Sequence, residues 1–313
     1  MKINIQEAKE LLQSGKVVAI PTETVYGLAA SATNPEAVAS IFSLKGRPSH
    51  NPLILHIGNP DECLRYASSK PRGLEALMLA FWPGPLTIVI PVKQELILPA
   101  VRANLTAAAF RVPKQSQTLE LLQQISPLVA PSANLSGSPS ATKPEHVEHD
   151  FGASFPVLDG AACEHGVEST IVIFDEDRWQ VARLGALSQE TLASALGYLP
   201  PLAAVNRDAP VCPGQLLAHY APKARLVLSD TTFTDCPKRL DTVIGFGDRS
   251  YPGAARVFIL ADTSNASMAA NRLYHVLREL DRQNIHEAWV DMQFPDTGLW
   301  KTVKERLSRA ANQ

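Results

Sequence analysis

Long apolar runs are missing from this 313-residue chain. None approaches the roughly 18 residues a helix needs to cross a bilayer, so a membrane partner is not expected. Cysteine is scarce: the four copies, Cys63, Cys163, Cys212 and Cys236, lie far apart and form no C-x-x-C pair. That excludes the usual spacing of a zinc site or a redox dithiol and fits plain thiols in a reducing cytosol. Neither sign of charge is in surplus, since 29 basic and 31 acidic side chains leave a net charge of −2. No overall field therefore draws the chain to nucleic acid, although a local basic groove stays open. The opening MKINIQEAKELL carries charges throughout, unlike a signal or transit peptide, and the expected location is the cytoplasm. Internal repeats and low-complexity stretches are absent. So is G-x-x-x-x-G-K-[ST], and any nucleotide would need another cradle.

What is present is a hydrophobic fraction of 45%, enough for two cores in a chain longer than one ordinary domain. Short apolar runs at 17–20, 53–57, 86–92, 107–112, 127–130, 155–158, 169–174 and 179–184 suit buried strands. Helical spacing appears at 5–15, after Asn34-Pro35, and at 71–82, 116–125 and 188–196, with Gly15 and Pro35 as natural punctuation. Alternating strands and helices predict an α/β domain over 1–198. Residues 199–224 hold Pro200, Pro201, Pro210, Pro213 and Pro222; prolines lack the backbone donor, so this reads as an extended linker or lid. Residues 225–313 carry three short apolar runs, an amphipathic helix through Leu273, Val276, Leu277 and Leu280, a strand at 288–290 and a helix at 302–310. They predict a second, smaller α/β domain.

Four short motifs carry polar chemistry. Pro21–Leu28, PTETVYGL, crowds hydroxyls, a carboxylate and a phenol at the end of a strand, where open α/β sheets bind ligands; a polar turn is the alternative. In SLKGRPSHNPL, Lys45 and Arg47 leave a helix end with a glycine between them. Such a pair suits a polyphosphate, or is a solvated helix terminus where cations are favourable anyway. In APSANLSG, Ser132 and Asn134 follow a strand and offer small polar groups to phosphate or ribose oxygens, or cap a turn. In GVESTIV and the later VARLG, Ser169 and Arg183 sit on two hairpin-like strands and point the same way, unless the arginine is merely on the surface.

Taken in order, PTETVYGL, SLKGRPSHNPL, APSANLSG, GVESTIV and HYAPK closely resemble the YrdC-type threonylcarbamoyl-AMP synthases. The proline-rich stretch and small last domain look like the two-domain form of that family. The resemblance is dense over the first 185 residues and thin after 225. It implies a twisted, open, mixed β-sheet of the YrdC type with flanking helices, followed by a small Rossmann-like α/β domain. It also implies that Lys45, Arg47, Ser132 and Asn134 bind ATP, with Asn51, Thr142 and Arg183 touching the nucleotide and Tyr220 closing over it from the end of the linker. Thr24, His56, Arg111 and Ser169 would hold L-threonine, Arg111 by forking onto its carboxylate. Relatives usually carry threonine four residues before the arginine matched to Arg111; here Ala107 stands there, which puts a side-chain contact to ATP at that place in doubt.

The activity so implied is synthesis of threonylcarbamoyl-AMP and pyrophosphate from L-threonine, bicarbonate or CO2, and ATP with Mg2+. It is the first step in N6-threonylcarbamoyladenosine formation on tRNA, and a downstream tRNA threonylcarbamoyltransferase takes the product. Lys45 and Arg47 would neutralise phosphate charge. No residue stands out as general base; His56 is a candidate, though a lone histidine beside a strand is more often a ligand contact. The rival readings are an RNA-binding module without adenylate chemistry, a relative of hydrogenase-maturation carbamoyltransferases, and a non-catalytic paralogue.

Overall fold

The computed structural model describes residues 1–175, 177–204, 220–231, 233 and 241–312. Most of the proline-rich stretch expected at 199–224, together with Cys212 and Cys236, lies outside the described residues.

Up to residue 196 the chain runs β1 (Lys2–Ile3), α1 (Ile5–Gln13), β2 (Val18–Ile20), β3 (Gly27–Ser31), α2 (Pro35–Lys45), β4 (Ile54–His56), α3 (Pro60–Tyr66), α4 (Leu74–Phe81) and β5 (Leu86–Pro91). It continues with β6 (Ala107–Arg111), α5 (Ser116–Ile125), β7 (Leu128–Val129), α6 (Pro144–Phe151), β8 (Val157–Leu158), β9 (Thr170–Asp175), β10 (Arg178–Arg183) and α7 (Gln189–Leu196). These strands form one mixed ten-stranded sheet in the order β1-β8-β2-β3-β7-β4-β6-β5-β9-β10. Beyond it come β11 (Arg225–Ser229), β12 (Thr242–Phe246), β13 (Arg256–Ala261), α8 (Ala266–Arg282), β14 (Glu287–Asp291) and α9 (Trp300–Ala311). Their four strands form a second sheet, ordered β11-β14-β12-β13, in which every pairing is parallel. The α/β class expected from the sequence is the one observed.

Local rules explain most boundaries. Asn34 caps α2 by accepting hydrogen bonds from the N–H groups of Glu36 and Ala37, and Pro35 opens the helix, where its missing donor costs nothing. Gly46 ends α2 in the left-handed conformation at φ 60°, the turn that lets the chain swing Arg47 back toward the sheet. Helix α1 stops at Gln13, two residues short of the expected end, and Gly15 follows at φ 79°.

Strand β3 and helices α3 and α6 were not legible beforehand. β3, Gly-Leu-Ala-Ala-Ser, is poor in β-branched residues, yet it lies in the sheet centre between β2 and β7. Burial overrides propensity there. Gly27 suits that close packing: a Cβ would lie 3.1 Å from Ala130 Cβ and 3.3 Å from Ala130 O, tighter than ordinary contact.

One large core lies against the ten-stranded sheet and includes Leu28, Ile41, Leu55, Ile88, Phe110 and Trp179. A separate core joins α8 and α9 to the small sheet, and it also takes in Val25, Val167 and Tyr220. The two units therefore share a hydrophobic seam rather than meeting only through a tether.

Candidate active site

Adjacent strand ends build one wall. β4 and β6 are parallel with His56 opposite Arg111, so both side chains leave the same face at the same height. The PTETVYGL and APSAN segments are stitched beside them: Leu28 N donates to Pro131 O at 2.7 Å, Ala133 N to Tyr26 O at 2.7 Å, and Tyr26 N to Ala141 O at 2.8 Å. The β9–β10 hairpin supplies Ser169 and Arg183. Arg183 Nη2 donates to Ser169 O at 2.8 Å and to Ser169 Oγ at 3.1 Å, while Thr87 Oγ1 lies 2.7 Å from Ser169 Oγ. Gly185 lets the chain cross tightly behind Ser169, since a Cβ would come within 2.4 Å of Ser169 C.

Together these segments line a cavity of about 570 Å³, counting its open mouth. Thr24, Arg47, His56, Arg111, Ser132, Ser169, Arg183 and Tyr220 all line it. Expected contacts for an amino acid and for a nucleotide thus converge on one space. Lys45, Asn51, Asn134 and Thr142 do not line it, and each is buried behind the wall. Thr142 N donates to His146 Nδ1 at 3.1 Å. Ala107 begins β6 and pairs with Pro91; it does not line the cavity either.

Lys45 is no solvated helix end. Only 3% exposed, its Nζ donates to Ser132 O at 2.5 Å and Asn134 O at 2.6 Å, tying the K-x-R turn to the S-x-N loop. Burial, reinforced by the Arg47 charge, pushes its pKa well below the usual lysine range. Burial and then the Arg183 charge lower Arg47 to about 10, which leaves it cationic at neutral pH. Around this junction Arg47 Nε, Asn51 Oδ1 and Asn134 Oδ1 are buried without a hydrogen-bond partner among the described residues. Asn134 is oriented by Nδ2 bonds of 2.8 Å to Leu135 O and to Ser138 O, so its bare oxygen asks for a donor. An unsatisfied buried polar atom costs about 1–3 kcal/mol, and such a cluster is more readily explained by a ligand than by packing.

Two carboxylates escaped the sequence reading as functional groups. Glu23 Oε1 accepts from Arg111 Nη2 at 2.6 Å and Glu23 Oε2 from Lys114 N at 3.0 Å. Burial alone would raise the Glu23 pKa, but Arg111 outweighs it and the net shift is downward. Glu168 lines the cavity and is bound by Ser140 Oγ at 2.6 Å and by Arg306 Nε at 3.0 Å. Both lie inside motifs noticed in the sequence, PTETVYGL and GVESTIV; the type and place of Glu23 were the available signal. For Arg306, more than a hundred residues away in sequence, there was none.

His56 is buried, and its Nδ1 lies 3.2 Å from Ile54 O. A carbonyl only accepts, so Nδ1 carries the proton and Nε2 is left as acceptor. Burial, helped by the Arg111 charge, lowers the His56 pKa to about 3.

A cavity at strand ends, flanked by paired cations and with an arginine beside a neutral histidine, defines an α/β enzyme for an anionic small-molecule pair. Comparison with known proteins makes this specific. Residues 10–185 match the Sua5_yciO_yrdC family model, described as "Telomere recombination", and residues 187–312 match the "Threonylcarbamoyl-AMP synthase, C-terminal domain" model. The chain belongs to this two-domain Sua5 family. It is 35% identical to the threonylcarbamoyl-AMP synthase of Bacillus subtilis, over 98% of this chain and 92% of that one. To the enzyme of the same name from Schizosaccharomyces pombe it is 32% identical, over 94% and 85%. It is also similar to the crystal structure of Pyrococcus abyssi Sua5 complexed with L-threonine, with a TM-score of 0.89, 34% identity, and 99% and 97% of the two chains covered.

Proposed function

We propose that the cavity is the site of threonylcarbamoyl-AMP synthesis, with L-threonine, bicarbonate or CO2, and ATP as substrates. Threonine lies at the strand-end wall: Arg111, steadied by Glu23, takes the carboxylate, and Thr24, His56 and Ser169 supply polar contacts. With a pKa near 3, His56 offers Nε2 as a hydrogen-bond acceptor and is too weak a base to strip an ammonium. The unprotonated threonine amine attacks CO2 and gives its proton to solvent. A carbamate oxygen then attacks the α-phosphorus of ATP, the bond from that phosphorus to the oxygen bridging to the β-phosphorus breaks, and pyrophosphate leaves. No enzyme nucleophile is needed. Positioning and charge neutralisation carry the rate, and enclosure protects a carbamate that water would destroy.

ATP occupies the end bounded by Arg47, Ser132, Arg183 and Tyr220, with Asn51, Asn134 and Thr142 behind. The single observation that carries this reading is the cluster of orphaned buried atoms. Arg47 Nε is a donor looking for a phosphate oxygen, and Asn51 Oδ1 and Asn134 Oδ1 are acceptors looking for a ribose hydroxyl or an adenine amine. Lys45 acts by holding the two nucleotide loops together. Among the described residues no group of three acidic, histidine or cysteine side chains could hold a metal. Mg2+ therefore fits as the companion of the triphosphate, keeping most of its ligands as phosphate and water.

The chain reads as a catalytic unit over 1–198, a connecting segment over 199–224 and a C-terminal unit over 225–313. Its product passes to a tRNA threonylcarbamoyltransferase. The test is pyrophosphate release from ATP measured with and without L-threonine and bicarbonate. Release that needs both supports the assignment; release indifferent to threonine removes it.

A further inference from the structure

The C-terminal unit reaches into the wall of the cavity. From α9, Arg306 is fully buried. Its Nε donates to Glu168 Oε2 at 3.0 Å, its Nη2 donates to Leu184 O at 2.7 Å, and its guanidinium carbon lies 4.8 Å from the centre of the Tyr220 ring. From α8, the Tyr274 hydroxyl lies 2.8 and 3.0 Å from the two Glu168 oxygens, and its ring stacks on Tyr220 at 5.4 Å. Tyr220 itself sits at φ 68°, a backbone region that bulky residues seldom adopt unless their surroundings hold them there. The ring so gripped lines the cavity together with Arg47, Glu168 and Arg183.

We propose that Arg306 and Tyr274 are positioning residues for the nucleotide half of the site. They clamp Glu168 and the Tyr220 ring, and so make ATP affinity depend on a domain that contributes no contact to threonine. The proposal rests on the assignment of Tyr220 and Arg183 to ATP. Burial by itself would raise the Glu168 pKa, yet the charges of Arg306 and Arg183 and the bonds from Ser140 and Tyr274 lower it to about 2. The clamp is therefore ionised on one side and cationic on the other at any working pH.

The test uses the full chain, with pyrophosphate release measured against ATP at saturating threonine, then the reverse. Arg306→Met is expected to raise the KM for ATP about tenfold, the loss of one desolvated cation–π contact and a charged hydrogen bond, and to move the KM for threonine less than about twofold. Tyr274→Phe keeps the stacked ring and removes the hydroxyl, so a rise of about threefold in the ATP term is expected. Removing Arg306 also strands a buried carboxylate, and the protein could lose stability for that reason alone. The paired variant Glu168→Gln/Arg306→Met separates the two effects: melting temperature should recover while the KM for ATP stays raised, because Tyr220 still lacks its guanidinium. Glu168→Gln alone leaves Arg306 under Tyr220 and should shift the ATP term less than about threefold.

Recovery of ATP KM along with stability in the paired variant would make Arg306 a mere counter-ion and overturn the proposal. So would a parallel rise of both KM values, or a folded Arg306→Met with wild-type kinetics. If Arg306→Met does not fold, the paired variant and Tyr274→Phe decide. Arg47→Ala in the same assay keeps the inferences apart: if it is without effect, the nucleotide assignment itself fails, whereas a strong effect there beside an unchanged Arg306→Met removes only the clamp.

Discussion

Two buried arginine–carboxylate pairs stand at the cavity, and they face opposite ways. In Glu23–Arg111 the arginine lines the space and the carboxylate props it from behind. In Glu168–Arg306 the carboxylate lines the space and the arginine props it. The first pair is assembled from one unit; the second joins two. Replacing either pair with apolar residues would cost little stability, because desolvation cancels most of the attraction. Their value lies in direction: one presents a cation where the proposed amino-acid carboxylate would sit, and the other holds the Tyr220 ring at the end proposed for the nucleotide.

The contrast can be broken experimentally. The largest effect is expected from Arg111→Ala, which leaves the Glu23 carboxylate buried without its counter-ion, the Lys114 N–H still donating to it. Urea unfolding should show a loss of about 3–5 kcal/mol, and threonine-dependent turnover should vanish. A variant as stable as wild type would mean that the pair is open to water and the comparison false.

Acid should separate the pairs next. Glu168 has a native pKa of about 2 against an ordinary 4.5. A carboxyl lowered in this way stabilises the fold fully above the higher value, and the benefit is lost as pH falls through the window toward the lower. Ionisation of Glu168 is then worth about 3 kcal/mol. The Glu168→Gln/Arg306→Met chain should lack that part of the decline between pH 4.5 and 2 in denaturant titrations; an unchanged profile would show that Glu168 does not carry it.

Lys45→Ala and Arg47→Ala are expected to lower turnover at least about tenfold, since one charge-assisted contact is worth roughly 1.5–3 kcal/mol. Arg47 should act mainly through ATP directly, and Lys45 through the loop it holds, so loosened ordering of the 132–134 loop should accompany Lys45→Ala alone. Wild-type rates in both would return the pair to an ordinary helix end.

The smallest signal is a flat one. With its pKa lowered from 6.5 to about 3, His56 is neutral throughout the physiological range. The pH profile of kcat/KM for threonine should show no His56 inflection near 6.5, and the stability that neutral His56 provides should fade only as pH drops below 6.5 toward 3. An inflection near 6.5 that disappears in His56→Gln would make the imidazole a titrating base after all.

Much of this was legible in the chain itself. The hairpin that carries Ser169 and Arg183, the capped helix ending in Lys45, and the strands ending in His56 and Arg111 all announce themselves by apolar runs and caps that act over a few residues. The β3 strand did not, because alanine and glycine are acceptable in a sheet only where neighbours bury them on both sides. Nor did the fate of Lys45, whose ammonium was expected to face phosphate and instead binds two carbonyls.

The sequence alone determined the class of fold, the order of the polar motifs and the family to which they belong, since periodicity, caps and short motifs are local properties of a chain. Tertiary structure alone decided which carboxylate serves which arginine, that Tyr220 is held from the C-terminal side, and that Asn51 and Asn134 keep oxygens without a partner among the described residues. Those facts depend on contacts between residues up to 138 positions apart, and no local pattern encodes such a partner.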